Sequence, residues 1–421
     1  MRADRLHVAM LIWSYWPGHE GGAERQCRKV IPWLTERGIK IDVWTARTRW
    51  SHSRRERTLD HGIVRLGGVI PGLLSMRRRV ENLLAWILPG SVGNARGQAR
   101  IREALAFWIG LPPIWLARCV FLFDLWWHLR QPKNRPDIIH VHESSWLAGA
   151  AAWLARPYGI RVLAKTAVYP AWDVLGYDVP LRGLFSEARR DCQFVALAPH
   201  LADNLVDAGI PRERIFILPN GVESQPVAAV HVSGKEALFV ANFSQSVEQK
   251  AFDVLLRAWS QVVAQEPAAR LKLLGDGDRK PWLYLVKELG VEKSVDFLGW
   301  VSDPGDQYRR SALFVLPSRS EGISNALLEA QSWGLACVVS DIPGNRAVVE
   351  PDINGLVVPV GDAAALAIAI LRLLADDRLR EELGRNARQI AQDRFSLAAV
   401  AGRLDDIYRR LVCAMPVGGD K

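Results

Sequence analysis

Cysteine is scarce: five in 421 residues, at positions 27, 119, 192, 337 and 413, with no CxxC pair. That argues against a zinc site or a disulfide framework and fits a reducing compartment. A spanning helix needs ~20 apolar residues. The longest apolar zone, Leu105 to Leu129, is broken by Pro112, Pro113, Arg118 and Asp124, so no transmembrane segment is expected. The N-terminal run LHVAMLIWSYWP lacks a small-residue cleavage site and reads as a first strand rather than a signal peptide. Absent too is the GxGxxG spacing of a dinucleotide fold. Hydrophobic residues at 49% and charged residues at 24% are ordinary globular values and exclude a disordered, collagenous or coiled-coil chain.

What is present is tryptophan and positive charge. There are 17 Trp against 12 Phe and 7 Tyr, and the formal charge is +9. The charge is uneven: residues 1–200 hold 29 Lys and Arg against 16 Asp and Glu, while residues 201–421 carry a slight negative excess. A basic first half points to an anionic partner, either nucleic acid or a membrane surface. No helix-turn-helix, zinc-finger or stacking-aromatic signature accompanies it, and the acidic second half does not continue a basic groove, so nucleic acid is disfavoured.

The chain alternates strand-like and helix-like patterns: LHVAMLIW, a glycine turn GHEGGAE, a helical stretch from Glu24 to Glu36, then IKIDVWTA. Short turns between them predict parallel pairing and a doubly wound α/β sheet. Further strand candidates are DIIHVH, RVLAKT, FVALA and IFILP. After Ser224 to Gly234, which has neither period and reads as a linker, the alternation restarts at ALFVANF. The expected organisation is two Rossmann-like domains facing across a cleft: residues 1–223, with 397–421 crossing back as a last helix, the linker 224–234, and residues 235–396. In such sheets ligands bind beyond the carboxyl ends of the strands. An insert from about Pro71 to Gln131 breaks the rhythm and joins arginines with Trp, Leu and Phe. It reads either as core-packed helices with an arginine-bearing outer face or as an interfacial surface for anionic lipid.

Two places suggest phosphate chemistry. Gly21 and Gly22 follow a predicted strand and precede a predicted helix, where free backbone N–H groups and the helix dipole favour an anion, although a plain flexible turn reads equally well. In SEGISNALLEAQSWG (320–334), Glu321 lies in the loop after a strand, Ser324 or Asn325 can cap the following helix, and Glu329 falls about one and a half turns into it. A phosphate at that helix start would have a carboxylate on either side for sugar hydroxyls. A cap plus a surface glutamate is the plainer alternative.

In order and spacing, GGAERQ (21–26), DIIHVHESSW (137–146), ILPNGVE (217–223), KAFDVLLRAW (250–259), LLGDGD (273–278), VDFLGWV (295–301), PSRSEGISNALLEAQSWG (317–334) and FSLAAVAGRLDDIYRRL (395–411) resemble the retaining family 4 glycosyltransferases of the GT-B fold. The resemblance implies a UDP- or GDP-sugar donor held mainly by the C-terminal domain and a glycan acceptor held by the N-terminal one. Neither a metal nor a cofactor is required. It assigns His142 to the active site near the donor sugar, with His140 in the core, Lys250 to the leaving diphosphate, Glu321 to the donor sugar and Glu329 to the ribose. The backbone of Ile323, Ser324 and Asn325 would bind phosphate, Gly22 would lie against the diphosphate, and Trp300 and Val301 near the base.

One departure stands out: Ala241-Asn242-Phe243 replaces the family's Gly-Arg-Leu, so Asn242 supplies hydrogen bonds but no charge to the phosphates. Arg319 and Arg346 are the basic groups that could compensate. The implied mechanism is departure of a nucleoside diphosphate with front-side attack by the acceptor, in which charge stabilisation is the main task. A nucleotide-sugar epimerase of the same fold and an inactive glycan-binding scaffold are the alternatives. The basic, Trp-rich insert favours a lipid-linked acceptor in polysaccharide or glycolipid assembly, with the enzyme cytoplasmic and peripheral on the inner face of the cytoplasmic membrane.

Overall fold

The computed structural model describes residues 6–15, 22–73, 75, 115–144, 146–167, 182–226, 234–243 and 248–413. Gly21, the Arg77–Arg79 cluster, the insert from 76 to 114 and most of the linker lie outside them. Eight strands form the first sheet: β1 (His7–Leu11), β2 (Lys40–Ala46), β3 (Arg55–Arg57), β4 (Gly62–Leu66), β5 (Ile138–Val141), β6 (Arg161–Thr166), β7 (Gln193–Ala196) and β8 (Ile215–Ile217). Their order is β3-β4-β2-β1-β5-β6-β7-β8. Pairing from β4 through β6 is parallel, and only β3 is shown running antiparallel, to β4. Strands β3 and β4 have no counterpart in the sequence reading. The Arg-Glu-Arg of β3 has no apolar residue to mark it, and such a charged edge strand discourages pairing with other chains.

The second sheet holds β9 (Glu236–Val240), β10 (Arg270–Leu274), β11 (Val295–Gly299), β12 (Leu313–Leu316), β13 (Ala336–Ser340) and β14 (Gly355–Val358), in the order β11-β10-β9-β12-β13-β14, parallel throughout. Its central strands are buried along their length, as LFVL of β12 and ACVVS of β13 require when helices cover both faces. In each sheet the strand order reverses once, between β1 and β5 and between β9 and β12. Those two switch points are where an open parallel sheet leaves a crevice for ligand.

The chain divides into two compact units, residues 1–165, 175–194 and 405–421, and residues 166–174 and 195–404. The first ends short of the expected residue 223. Residues 220–222 are fastened within the second unit, where Asn220 Nδ2 donates to Asn325 Oδ1 at 2.8 Å and Val222 bridges Ser396. The division at Leu404 and Asp405 falls inside the last helix, Leu397–Cys413.

A helix over residues 115–130 is the described end of the insert. It buries Ala117, Phe121, Leu125 and Leu129 completely, a stripe at i, i+4, i+8 and i+12. Its outward face carries large apolar side chains together with exposed Arg130. Trp115, Leu116, Phe123 and Trp127 are all exposed, while the Arg118 guanidinium lies 4.8 Å from the centre of the Trp146 ring. All five cysteines are free; Cys27, Cys192 and Cys337 are buried, Cys119 is half-buried and Cys413 is exposed. Burial pushes the Cys27 thiol up to about 12 and that of Cys337 higher still.

Candidate active site

The strongest convergence of predicted residues lies at the β9/β12 switch point of the second unit. Lys250 ends the connection from β9 and Glu321 the loop that leaves β12; their Nζ and Oε1 atoms are 2.5 Å apart, and each side chain is only 13% exposed. Glu321 Oε1 also accepts from Ser318 Oγ at 2.9 Å, and Lys250 Nζ donates to Ser324 Oγ at 3.4 Å. Two charges this far from water need each other, because removing either leaves the other buried and unpaired.

The backbone is held tightly on both sides of this pair. Ala251, directly after Lys250, is a fully buried non-glycine residue at φ 50°, a left-handed conformation that costs about 1–2 kcal/mol. Its N–H donates to Glu248 O and its carbonyl accepts from Leu255 N, so the helix Phe252–Gln265 begins from a fixed turn. On the other side Gly344 packs beneath the loop: a Cβ there would stand 2.3 Å from Glu321 O and 2.6 Å from Gly322 O.

Ser324 occupies the N-cap position of the helix Asn325–Ser332 with extended backbone, yet its side chain makes no capping hydrogen bond. Its hydroxyl faces Lys250 instead. Asn325 does not cap either; its side-chain oxygen accepts from Asn220. The helix start therefore presents backbone N–H groups beside an ammonium, an arrangement suited to an anion. Ile323 is buried in the same turn, at 8% exposure. One and a half turns on, Glu329 Oε2 accepts from Tyr308 OH at 3.1 Å.

Asn242 is exposed just beyond β9, and Trp300, 65% exposed, follows the end of β11 with half-buried Val301. Between these loops, Gly275 sits at φ 140° where a Cβ would meet Ala241 O at 1.7 Å, so no other residue fits. Of the two arginines that could replace the missing phosphate-binding charge, Arg319 is committed elsewhere. It pairs with both Asp253 oxygens at 2.9 and 2.7 Å and donates to Glu248 O, and its guanidinium holds the Asp253 carboxyl below the usual range. Arg346 Nε is 3.4 Å from Asp341 and half exposed.

In the first unit, Gly22 is the exposed first residue of the helix Gly22–Glu36. His142 follows β5 at the β1/β5 switch point; its backbone N–H donates to Leu11 O, its ring is buried, and neither ring nitrogen has a partner among the described residues. It stacks on His140 with centroids 4.6 Å apart, and His140 Nδ1 shares a hydrogen with Tyr408 OH at 2.7 Å. Burial holds His140 down to about 3; burial, then His140 and Lys165, holds His142 well below the usual range, so both imidazoles are neutral. Lys165, half-buried, is lowered to about 8 by desolvation. Among the described residues no three His, Cys, Asp or Glu side chains form a metal-binding group.

Three partners went unassigned in the sequence. Asn220 stands inside the recognised ILPNGVE, but its role depends on a residue 105 positions later. Tyr308 has no motif around it. His200, on the helix Pro199–Asp207, lies beside the Glu321 backbone, and burial lowers its ring below the usual range.

Two parallel sheets with an ion-paired lysine and glutamate at a switch point fit the class of sugar-transferring enzymes, and the sequence agrees. Residues 234–376 match the family described as "Glycosyl transferases group 1", and residues 20–225 match "Glycosyltransferase Family 4". The protein is a glycosyltransferase of the GT-B fold, and it belongs to the group 1, family 4 glycosyltransferases. It is 32% identical over 289 residues to the lipopolysaccharide core biosynthesis glycosyltransferase LpsE of Rhizobium meliloti, covering 68% of this chain and 78% of that protein. It is 27% identical over 305 residues to the UDP-Gal:alpha-D-GlcNAc-diphosphoundecaprenol alpha-1,3-galactosyltransferase of Escherichia coli, covering 66% and 77%. Anabaena HepE, solved in complex with UDP-glucose, superposes with a TM-score of 0.67 at 16% identity, over 96% of this chain and all of that one.

Proposed function

We propose that the enzyme moves a sugar, with retention, from a nucleoside-diphosphate sugar to a lipid-linked glycan in lipopolysaccharide, glycolipid or polysaccharide biosynthesis. The observation that carries this reading is the Lys250–Glu321 pair beside the uncapped start of the helix Asn325–Ser332. When a diphosphate departs, two negative charges must be met, and an ammonium with aligned backbone N–H groups meets them without reorganisation. Glu321, held by Ser318, keeps Lys250 in place and leaves its second oxygen for a donor-sugar hydroxyl, while Glu329 takes the ribose. The leaving phosphate oxygen accepts the acceptor's proton, so no protein nucleophile and no metal enters the step. His142, neutral and with both ring nitrogens open, offers a hydrogen bond to a sugar hydroxyl.

In this reading residues 235–396 hold the donor and residues 1–223 the acceptor. UDP is favoured over GDP as the carrier by the names of the Escherichia coli relative and the Anabaena complex. The diphosphoundecaprenol in the former name supports a lipid-linked acceptor and a place on the inner face of the cytoplasmic membrane. The test is a screen of UDP- and GDP-sugars with lipid-linked glycans, read by mass spectrometry. Transfer that depends on acceptor is the expected result. Sugar inversion without acceptor would point to an epimerase, and calorimetry showing no nucleotide binding would point to an inactive scaffold.

A further inference from the structure

The helix over 115–130 is apolar on both of its faces. The stripe through Ala117, Phe121, Leu125 and Leu129 is spent on the core, yet Trp115, Leu116, Phe123 and Trp127 remain 46–60% exposed on the outside. A contiguous outward row of large apolar side chains marks an interaction surface. Sixteen residues rise about 24 Å, short of a ~30 Å hydrocarbon core, and among the described residues no helix is long and apolar enough to cross a membrane.

The rim of this row is cationic. Arg130, exposed, lies 4.9 Å from the Trp126 ring centre, an aromatic and a guanidinium stacked at one end of the helix. At its flank exposed Arg54, beside the edge strand β3, reaches Asp124 Oδ2 at 3.4 Å. The acidic groups nearby are already engaged. Asp124 Oδ2 also accepts from Gly67 N at 2.7 Å, and Glu56 pairs with Arg65 at 2.8 Å. Tryptophan and arginine around an apolar row match the boundary of an anionic bilayer, where indoles sit at headgroup depth and guanidiniums meet lipid phosphates.

We infer that the outward face of this helix, flanked by Arg54 and Arg130, is the surface on which the enzyme lies against anionic lipid. The inference rests on the proposal that the enzyme works at a membrane, and it names the face that does so. The bilayer takes the apolar row to acyl-chain depth, and the charged rim selects anionic headgroups.

The full chain is sedimented with vesicles of phosphatidylcholine, with and without phosphatidylglycerol. Wild type is expected to pellet with the anionic vesicles, less so at high salt. Phe123→Glu with Trp127→Glu is expected to lower the partition coefficient at least tenfold while leaving the thermal midpoint and solution mass unchanged. Arg130→Glu, a solvent-facing change that keeps the apolar row, is expected to lower anionic selectivity at least fivefold. Wild-type binding retained in both variants overturns the assignment of this face and leaves the membrane proposal standing. Wild type remaining in the supernatant with both vesicle types overturns the membrane proposal and the inference together. A large drop in thermal midpoint, or a change in solution mass, in the Phe123/Trp127 variant means that the face is packed against protein rather than lipid, and also overturns it.

Discussion

Lys250 and Glu321 are 71 positions apart in sequence and 2.5 Å apart in space, because β9 and β12 are neighbours in the second sheet. The connection after one strand supplies the ammonium and the loop after the other supplies the carboxylate. Lys250→Ala and Glu321→Ala are each expected to lower kcat/KM at least ~100-fold, about 2.7 kcal/mol of transition-state stabilisation. The double variant should lose far less than the product of the two, since either change already breaks the pair. Nucleoside diphosphate release under single-turnover conditions reads this, and near-wild-type turnover in either single variant removes the site assignment.

Glu329 is expected to act on donor binding rather than on the chemical step. Glu329→Ala should raise the donor KM roughly tenfold, about 1.4 kcal/mol, with kcat little changed. Tyr308→Phe, which removes only the hydroxyl donating at 3.1 Å, should give a smaller change in the same direction. A fall in kcat with unchanged KM would contradict the ribose role.

Gly344→Ala tests how rigidly the Glu321 loop is supported. The added Cβ meets backbone oxygens at 2.3 and 2.6 Å, which cannot rotate away as a side chain would. A destabilisation of about 1–3 kcal/mol by urea titration, with a loss of turnover, is expected. Full stability and activity would mean that the loop shifts freely.

The stacked His140 and His142 make stability depend on pH. Both rings resist protonation in the folded protein, His140 down to about 3, whereas the unfolded chain takes up protons near 6.5. Their contribution is complete above pH 6.5 and is lost as pH falls below it, at up to about 1.4 kcal/mol per pH unit for each ring. Urea midpoints at pH 7, 6 and 5 should decline, and His142→Gln should flatten the decline. A flat wild-type profile would contradict the neutral, buried pair.

Alternation of strand and helix made the doubly wound fold readable, since a buried parallel strand such as LFVL announces itself by composition. The helix Asn325–Ser332 was legible from its position after a strand, and Glu321 with it. Helix 115–130 resisted, because its pattern is apolar all round and periodicity cannot say which side turns inward. Arg319 misled for another reason. Its charge is visible in sequence, but its bidentate hold on Asp253, 66 positions away, is not. Nor could any pattern show that Ser324 would face Lys250 instead of capping its own helix, because that choice is made by the packing of two loops.

The distribution of thiols provides an experimental handle. With Cys27, Cys192 and Cys337 buried and Cys119 half-covered, a maleimide at neutral pH will react first at Cys413, on the last turn of the final helix. A single fluorophore can therefore be attached to the unaltered polypeptide, and energy transfer from it to a lipid-borne acceptor dye would report distance from a bilayer without a cysteine-free background.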